Sequence, residues 1–174
     1  MYEIAKNSAQ IGNEILKINY NKIQKISSKG RKGDLVTNVD LEVENKIKEY
    51  LLQETPNISI HAEESGKLNK SSDLTWCIDP LDGTTNYSHG YPFFGSSIGL
   101  VYKNNPIIGA ISVPYLSELY SACIGLGSFC NDIKLKVTSP SNLSDSLLVT
   151  GFAYDRFEVE DNNYAEFCYL TPVS

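Results

Sequence analysis

Trp76-Cys77-Ile78-Asp79-Pro80-Leu81-Asp82-Gly83-Thr84-Thr85-Asn86 is the stretch on which the reading turns. It opens as a β-strand, expected over Leu74–Asp79, because apolar and β-favouring residues precede a Pro/Gly break. The strand runs into two carboxylates separated by Pro-Leu, then into Gly-Thr-Thr at the expected start of a helix. Two acids held three positions apart by a stiff proline turn can converge on one cation. Oxygen-only donors suit a hard ion such as Mg²⁺, with backbone carbonyls and waters completing its shell. Gly83 permits close backbone approach, and the amides and hydroxyls that follow can receive a phosphate. The plainer alternative is an Asp-Pro-x-Asp-Gly turn, since these residues are common turn formers.

Two acidic spots upstream bear on that choice. Glu63-Glu64 follows an expected strand at Ile58–His61, and Asp40 follows Leu35-Val36-Thr37. Taken singly, Glu63-Glu64-Ser65-Gly66 reads as a solvated turn and Asp40 as the acid of a helix capping box. Both lie at the exit of apolar segments, where sheet proteins gather site residues. If Asp40, Glu64, Asp79 and Asp82 shared one cleft, each pair at 4 Å would repel by about 4 kcal/mol at an effective dielectric near 20. Bound cations would make such a cluster tolerable, so the joint reading is a multi-carboxylate, multi-Mg²⁺ phosphate site.

Around this core the pattern divides in two. Ile4, Ile11, Ile15 and Ile18, with Ser8 between, recur at helical spacing and predict an amphipathic first helix. Residues 19–34 are polar and read as a loop or hairpin. Val43, Ile47, Tyr50 and Leu51 mark a second helix, opened by Thr37-x-x-Asp40 and closed by Pro56. Beyond it the period becomes two. Further strands are expected at Ser97–Tyr102, Ile107–Val113, Glu118–Ala122 and Leu147–Thr150, with a hairpin turn at Asn104-Asn105. Gly125-x-Gly127 marks turns in another hairpin. Tyr164–Ser174 ends in an apolar, strand-like pattern. Two helices followed by hairpin-linked strands argue for an α+β fold, two helices packed on a largely antiparallel sheet.

The 174 residues suffice for one domain and bury roughly 70% of the unfolded surface, so no staple is needed. Fifteen Lys and Arg face 21 Asp and Glu, a net charge of −6. That balance argues against a nucleic-acid groove, which needs clustered cations. Cys77, Cys123, Cys130 and Cys168 form no C-x-x-C, and His61 and His89 stand alone, which argues against zinc. The cysteines are expected as reduced thiols, and the histidines in ordinary core or surface roles. No apolar run of about 18 residues occurs, so no membrane span is expected. The N-terminal pattern is broken by Glu3, Lys6 and Glu14, unlike a secretory signal, so the expected setting is cytoplasmic.

These motifs together resemble the inositol monophosphatase family of Mg²⁺-dependent, lithium-sensitive phosphomonoesterases. The resemblance rests on Asp79-Pro-Leu-Asp82-Gly-Thr-Thr-Asn86 after Trp76, on Ala62-Glu63-Glu64-Ser65, and on Asp34-Leu-Val-Thr-Asn-Val-Asp40. Phe93–Gly99, Gly125–Asn131 and Thr150–Asp155 match as well. It implies the N-terminal part of a layered α/β sugar-phosphatase sandwich, over residues 1–174. It implies Glu64, Asp79, the Leu81 carbonyl and Asp82 as ligands of two or three Mg²⁺ ions, and Gly83, Thr84 and Thr85 as the phosphate seat. Thr84 with Asp40 and Glu64 would carry catalysis, with Lys29 near the family's basic loop residue. The implied reaction is hydrolysis of a phosphate monoester by metal-activated water. Inositol monophosphate is the expected substrate; histidinol phosphate, a sugar bisphosphate and a 3′-phosphonucleotide are the alternatives. A homodimer is the implied assembly.

The family's Gly-Glu-Glu is Ala62-Glu63-Glu64 here. Its later Trp-Asp-x-Ala-x-Gly motif does not occur in the 174 residues. The chain is therefore expected to lack the C-terminal domain and to show little turnover by itself. A non-catalytic remnant is the competing reading, with an apolar sheet face left uncovered.

Overall fold

The computed structural model describes residues 1–22, 26–28, 35–139, 141–152 and 156–171. Lys29 and Asp34 lie outside them. The described residues fall into two units, one within residues 1–27 and 35–135, the other made of Ser28 and the described part of residues 136–174.

The first unit begins with α1 (Tyr2–Asn19). Strands β1 (Ile26–Ser28) and β2 (Leu35–Thr37) form a two-stranded sheet; most of the loop or hairpin expected over residues 19–34 lies outside the described residues. Helix α2 (Asn38–Glu54) follows immediately. Its N-cap is Thr37, and the capping box is complete: the Thr37 hydroxyl accepts the Val39 and Asp40 amides while the Asp40 carboxylate accepts the Thr37 amide. Then come β3 (Ser59–Ala62), β4 (Gly66–Leu68), β5 (Leu74–Asp82), α3 (Thr84–Ser88), β6 (Gly95–Tyr102) and β7 (Asn105–Val113). Strands β8 (Glu118–Cys123), β9 (Gly127–Cys130) and β10 (Ile133–Lys134) complete the sheet. Its order is β10-β9-β8-β7-β6-β5-β3-β4.

Every pairing in this sheet is antiparallel except that of β3 with β5. β4 folds back along one edge of β3, so β5 must join the other edge, running in the same direction as β3. The sequence reading did not contain this parallel pair. It matters because both strands then deliver their C-terminal ends to the same place, where open sheets bind ligands.

α1 and α2 pack on each other and on β5, β6 and β7. Beneath them Trp76, Ile78, Ile98, Leu100 and Ala110 are buried. The Trp76 indole donates to the Thr55 hydroxyl at the end of α2 (3.0 Å). On α1 the most buried residues are Ala5, Ser8, Ala9, Gly12 and Leu16, while Ile4, Ile11 and Ile15 flank the core and Ile18 is 63% exposed. The expected helix is right, but its isoleucine stripe lies beside the deepest contact. Small residues let the helix approach closely: a Cβ on Gly12 would stand 2.5 Å from the Ser96 hydroxyl. Alternation sends Cys77, Asp79, Ser97, Gly99 and Ile111 to the other face, where a cavity of about 580 Å³ is lined by these and by His61 and Glu63.

The β6–β7 turn uses Lys103 and Asn104 at positive φ, one residue earlier than Asn104-Asn105. Gly125 and Gly127 sit in the β8–β9 hairpin at positive φ. All four cysteines are free thiols. No helix of the described residues is long and apolar enough to cross a membrane.

In the second unit, Leu147–Thr150 forms no strand. A short apolar run becomes a strand only when a neighbour offers its ladder, and none does so among the described residues. Residues 164–170 are helical, α4 (Tyr164–Leu170), not strand-like. Tyr164 and Phe167, one turn apart, both rest on Phe152, at ring separations of 5.0 and 5.7 Å. That helical spacing decides the element over its β-favouring composition.

Candidate active site

The site grows from a strand irregularity. In a regular strand, residues 79 and 82 would point to opposite faces. Here Asp79 pairs with Ser97 and Asp82 with Gly95, so three steps on β5 oppose two on β6. This bulge, at buried Pro80-Leu81, turns Asp82 to act on the same ground as Asp79. Gly83 follows at φ +86°, open to glycine at little cost, and a Cβ there would lie 3.1 Å from the Phe93 carbonyl. The chain then enters α3 at Thr84.

The parallel register supplies the third carboxylate. Ala62 pairs with Ile78, both buried on the helix side. One step further on each strand brings Glu63 beside Asp79, and the Glu63 amide donates to the Ile78 carbonyl (3.1 Å). The carboxyl of Asp79 is pushed up to about 7 by burial first, then by the Glu63 and Asp82 carboxylates. The expected ligand at this point was Glu64. The Glu64 amide donates to the carboxylate of Glu44 (2.7 Å), and the Glu64 Oε1 is buried. The acids that act on Asp79 are Glu63 and Asp82.

Asp40 occupies the N-terminus of α2 and is 1% exposed. One carboxylate oxygen accepts from the amide (2.9 Å) and the hydroxyl of Thr37. The other faces the Thr84 hydroxyl at 3.3 Å, which also reaches the Leu81 carbonyl at 3.0 Å. Burial raises the Asp40 carboxyl above the ordinary range, although the donors from Thr37 and Thr84 work against it. Asp40 and Thr84 are thus joined directly. Thr85 is exposed, and its carbonyl accepts the His89 amide and faces the His89 ring. His89 closes α3 and His61 lines the open sheet face.

Among the described residues no three His, Cys, Asp or Glu side chains form a ready cage for a metal. Mg²⁺ does not require one, since it takes one or two carboxylates with waters and substrate phosphate. The donor set fits such an ion by a local test. Asp79 Oδ1 is buried and accepts no hydrogen bond among the described residues. A buried carboxylate oxygen without a donor, beside two more acids, is costly unless a proton or cation meets it.

Neither Glu63, read only as the neighbour of Glu64, nor Glu44 was among the site residues expected from the sequence. Glu44 was visible in principle: it stands four residues after Asp40, on one face of α2, next to the core position Val43. Choosing between Glu63 and Glu64 needs the register of β3 on β5.

Glu63, Asp79 and Asp82 thus gather at the shared C-terminal ends of two parallel strands, and Asp40 is joined to Thr84. The sequence profile of the inositol monophosphatase family matches residues 1–174. An inositol-1-monophosphatase of Synechocystis sp. is 47% identical over 161 residues, which are 92% of this chain and 56% of that protein. A fructose-1,6-bisphosphatase/inositol-1-monophosphatase of Aquifex aeolicus is 41% identical, over 86% of this chain and 57% of its own. The solved inositol monophosphatase of Anabaena (Nostoc) sp. superposes with a TM-score of 0.84 at 43% identity, covering 99% of this chain and 63% of that one. The chain belongs to the inositol monophosphatase family. It spans little more than half the length of the curated relatives it matches.

Proposed function

We propose that this chain carries the cation- and phosphate-binding part of a Mg²⁺-dependent phosphomonoester hydrolase acting on an inositol monophosphate. The observation that carries the reading is the donor-less, buried oxygen of Asp79 between Glu63 and Asp82. Glu63, Asp79, Asp82 and the Leu81 carbonyl would hold the cation, Glu63 taking the place first expected of Glu64. When bound, the cation offsets the mutual repulsion of these acids and supplies a Lewis acid toward phosphate and water. Gly83, Thr84 and Thr85 seat the phosphate at the turn into α3. Thr84 donates toward Asp40, which leaves its oxygen lone pairs to accept from a water and orient it. Asp40, held above the ordinary carboxylate range, is suited to take up the proton that the water gives up.

The second reading is a sugar bisphosphate substrate, favoured by the double name of the Aquifex relative. A cytoplasmic setting, consistent with four free thiols, and a homodimeric assembly belong to the same proposal. Calorimetric titration of Mg²⁺ into the chain and into Asp79→Asn tests the site. Binding by the first and loss in the second is expected; equal binding by both refutes the assignment. Phosphate release from inositol 1-phosphate against fructose 1,6-bisphosphate separates the substrates.

A further inference from the structure

The turn that carries Glu63 is tied to α2 by a buried side chain, that of Glu44. Glu44 is 1% exposed. Its Oε2 accepts the Glu64 amide at 2.7 Å, and its Oε1 accepts the Ser65 amide at 3.0 Å. Both oxygens of one carboxylate are therefore spent on consecutive backbone N–H groups, a charge-assisted arrangement. Lys48, one turn further on α2, stands 4.0 Å from Oε1 and donates to the Ser65 hydroxyl at 2.6 Å. Glu44 is itself one turn beyond Asp40, on the same face of α2. One helix thus holds Asp40 with its first turn and the Glu63–Ser65 turn with its second.

We infer that Glu44 is a positioning residue: by clamping the Glu64 and Ser65 amides it fixes the direction in which Glu63 leaves β3, and so sets the cation affinity of the Glu63–Asp79 pair. The inference rests on the cation reading above. The geometry explains why the acid is buried at all. A carboxylate placed at the helix–sheet boundary must find donors, and the donors it finds are the two amides after Glu63. Glutamine cannot reproduce the clamp, because its amide nitrogen turns a donor toward one of the two N–H groups. Groups that orient ligands from behind change metal affinity by about 10–100-fold when removed.

The test is Mg²⁺ calorimetry on the full 174-residue chain with Glu44→Gln, Glu44→Asp and Lys48→Ala, alongside urea unfolding of each without metal. Glu44→Gln is expected to weaken Mg²⁺ binding by about tenfold or more. Glu44→Asp, one methylene shorter and able to serve one amide, is expected to fall between. Lys48→Ala keeps the carboxylate clamp and is expected to stay within about threefold. Should Glu44→Gln not fold, Glu44→Asp decides the matter by the same titration. A lowered unfolding midpoint with unchanged Mg²⁺ affinity would mean that Glu44 only braces the helix, and the inference falls while the cation site stands. Absence of Mg²⁺ binding by the unaltered chain overturns the cation reading, and this inference with it.

Discussion

Thr37 offers the sharpest single test, because one hydroxyl closes a helix and steadies a buried acid together. Its oxygen accepts the Val39 and Asp40 amides at 3.1 and 3.4 Å, and its proton goes to the Asp40 carboxylate. Thr37→Ala removes the cap, worth about 1 kcal/mol. It also strips a hydrogen bond from a buried carboxylate, worth about 1.5–3 kcal/mol. The Thr37 amide at 2.9 Å and the Thr84 hydroxyl remain on Asp40, so the loss is partial. Together these predict a destabilisation of about 2–4 kcal/mol. Thr37→Ser keeps the hydroxyl and is expected to cost under about 1 kcal/mol, the value of the lost methyl. Equilibrium urea unfolding measures both. In a double-mutant cycle with Asp40→Asn, the pair should couple by about 0.5–3 kcal/mol. If Thr37→Ala costs no more than Thr37→Ser, the hydroxyl does not hold Asp40 and the reasoning is wrong.

Three further outcomes are expected. The Asp79 carboxyl, raised to about 7, must release its proton before a cation binds, so thermal stabilisation by Mg²⁺ should grow as pH rises from 6 to 8. In the metal-free chain the sign is opposite: the raised group contributes most below the ordinary carboxylate range and its contribution is gone by about pH 7, a slope that Asp79→Asn should remove. Gly83→Ala should cost more in urea unfolding than Gly66→Ala. Both positions have positive φ, worth about 1–2 kcal/mol, but only the first places a Cβ near backbone, 3.1 Å from the Phe93 carbonyl. Gly12→Ala should destabilise by about 1–3 kcal/mol by overpacking against Ser96, although alanine is the better helix former; a gain in stability would contradict the close α1–β6 packing.

The sequence by itself determined the parts that depend on near neighbours. Thr37-x-x-Asp40 specified where α2 starts, because a capping box is complete within four residues. Period-two patterning specified β5 through β8, and the Asp79–Thr85 run, with Asp40 and Glu64, raised the reading of a cation and phosphate site against that of a plain turn. Tertiary structure decided what depends on strands meeting. That β3 lies parallel to β5 cannot be read from either strand, and it is this register that brings Glu63 beside Asp79. The bulge at Pro80-Leu81 is defined by what β6 offers opposite, and it brings Asp82 to Asp79. Glycine and alanine carry little apolar weight in a hydropathy pattern, so the deepest face of α1 stayed hidden until Ser96 was seen against Gly12. Glu44 shows the same division: its place on α2 is a matter of local periodicity, but its use requires two amides some twenty residues away.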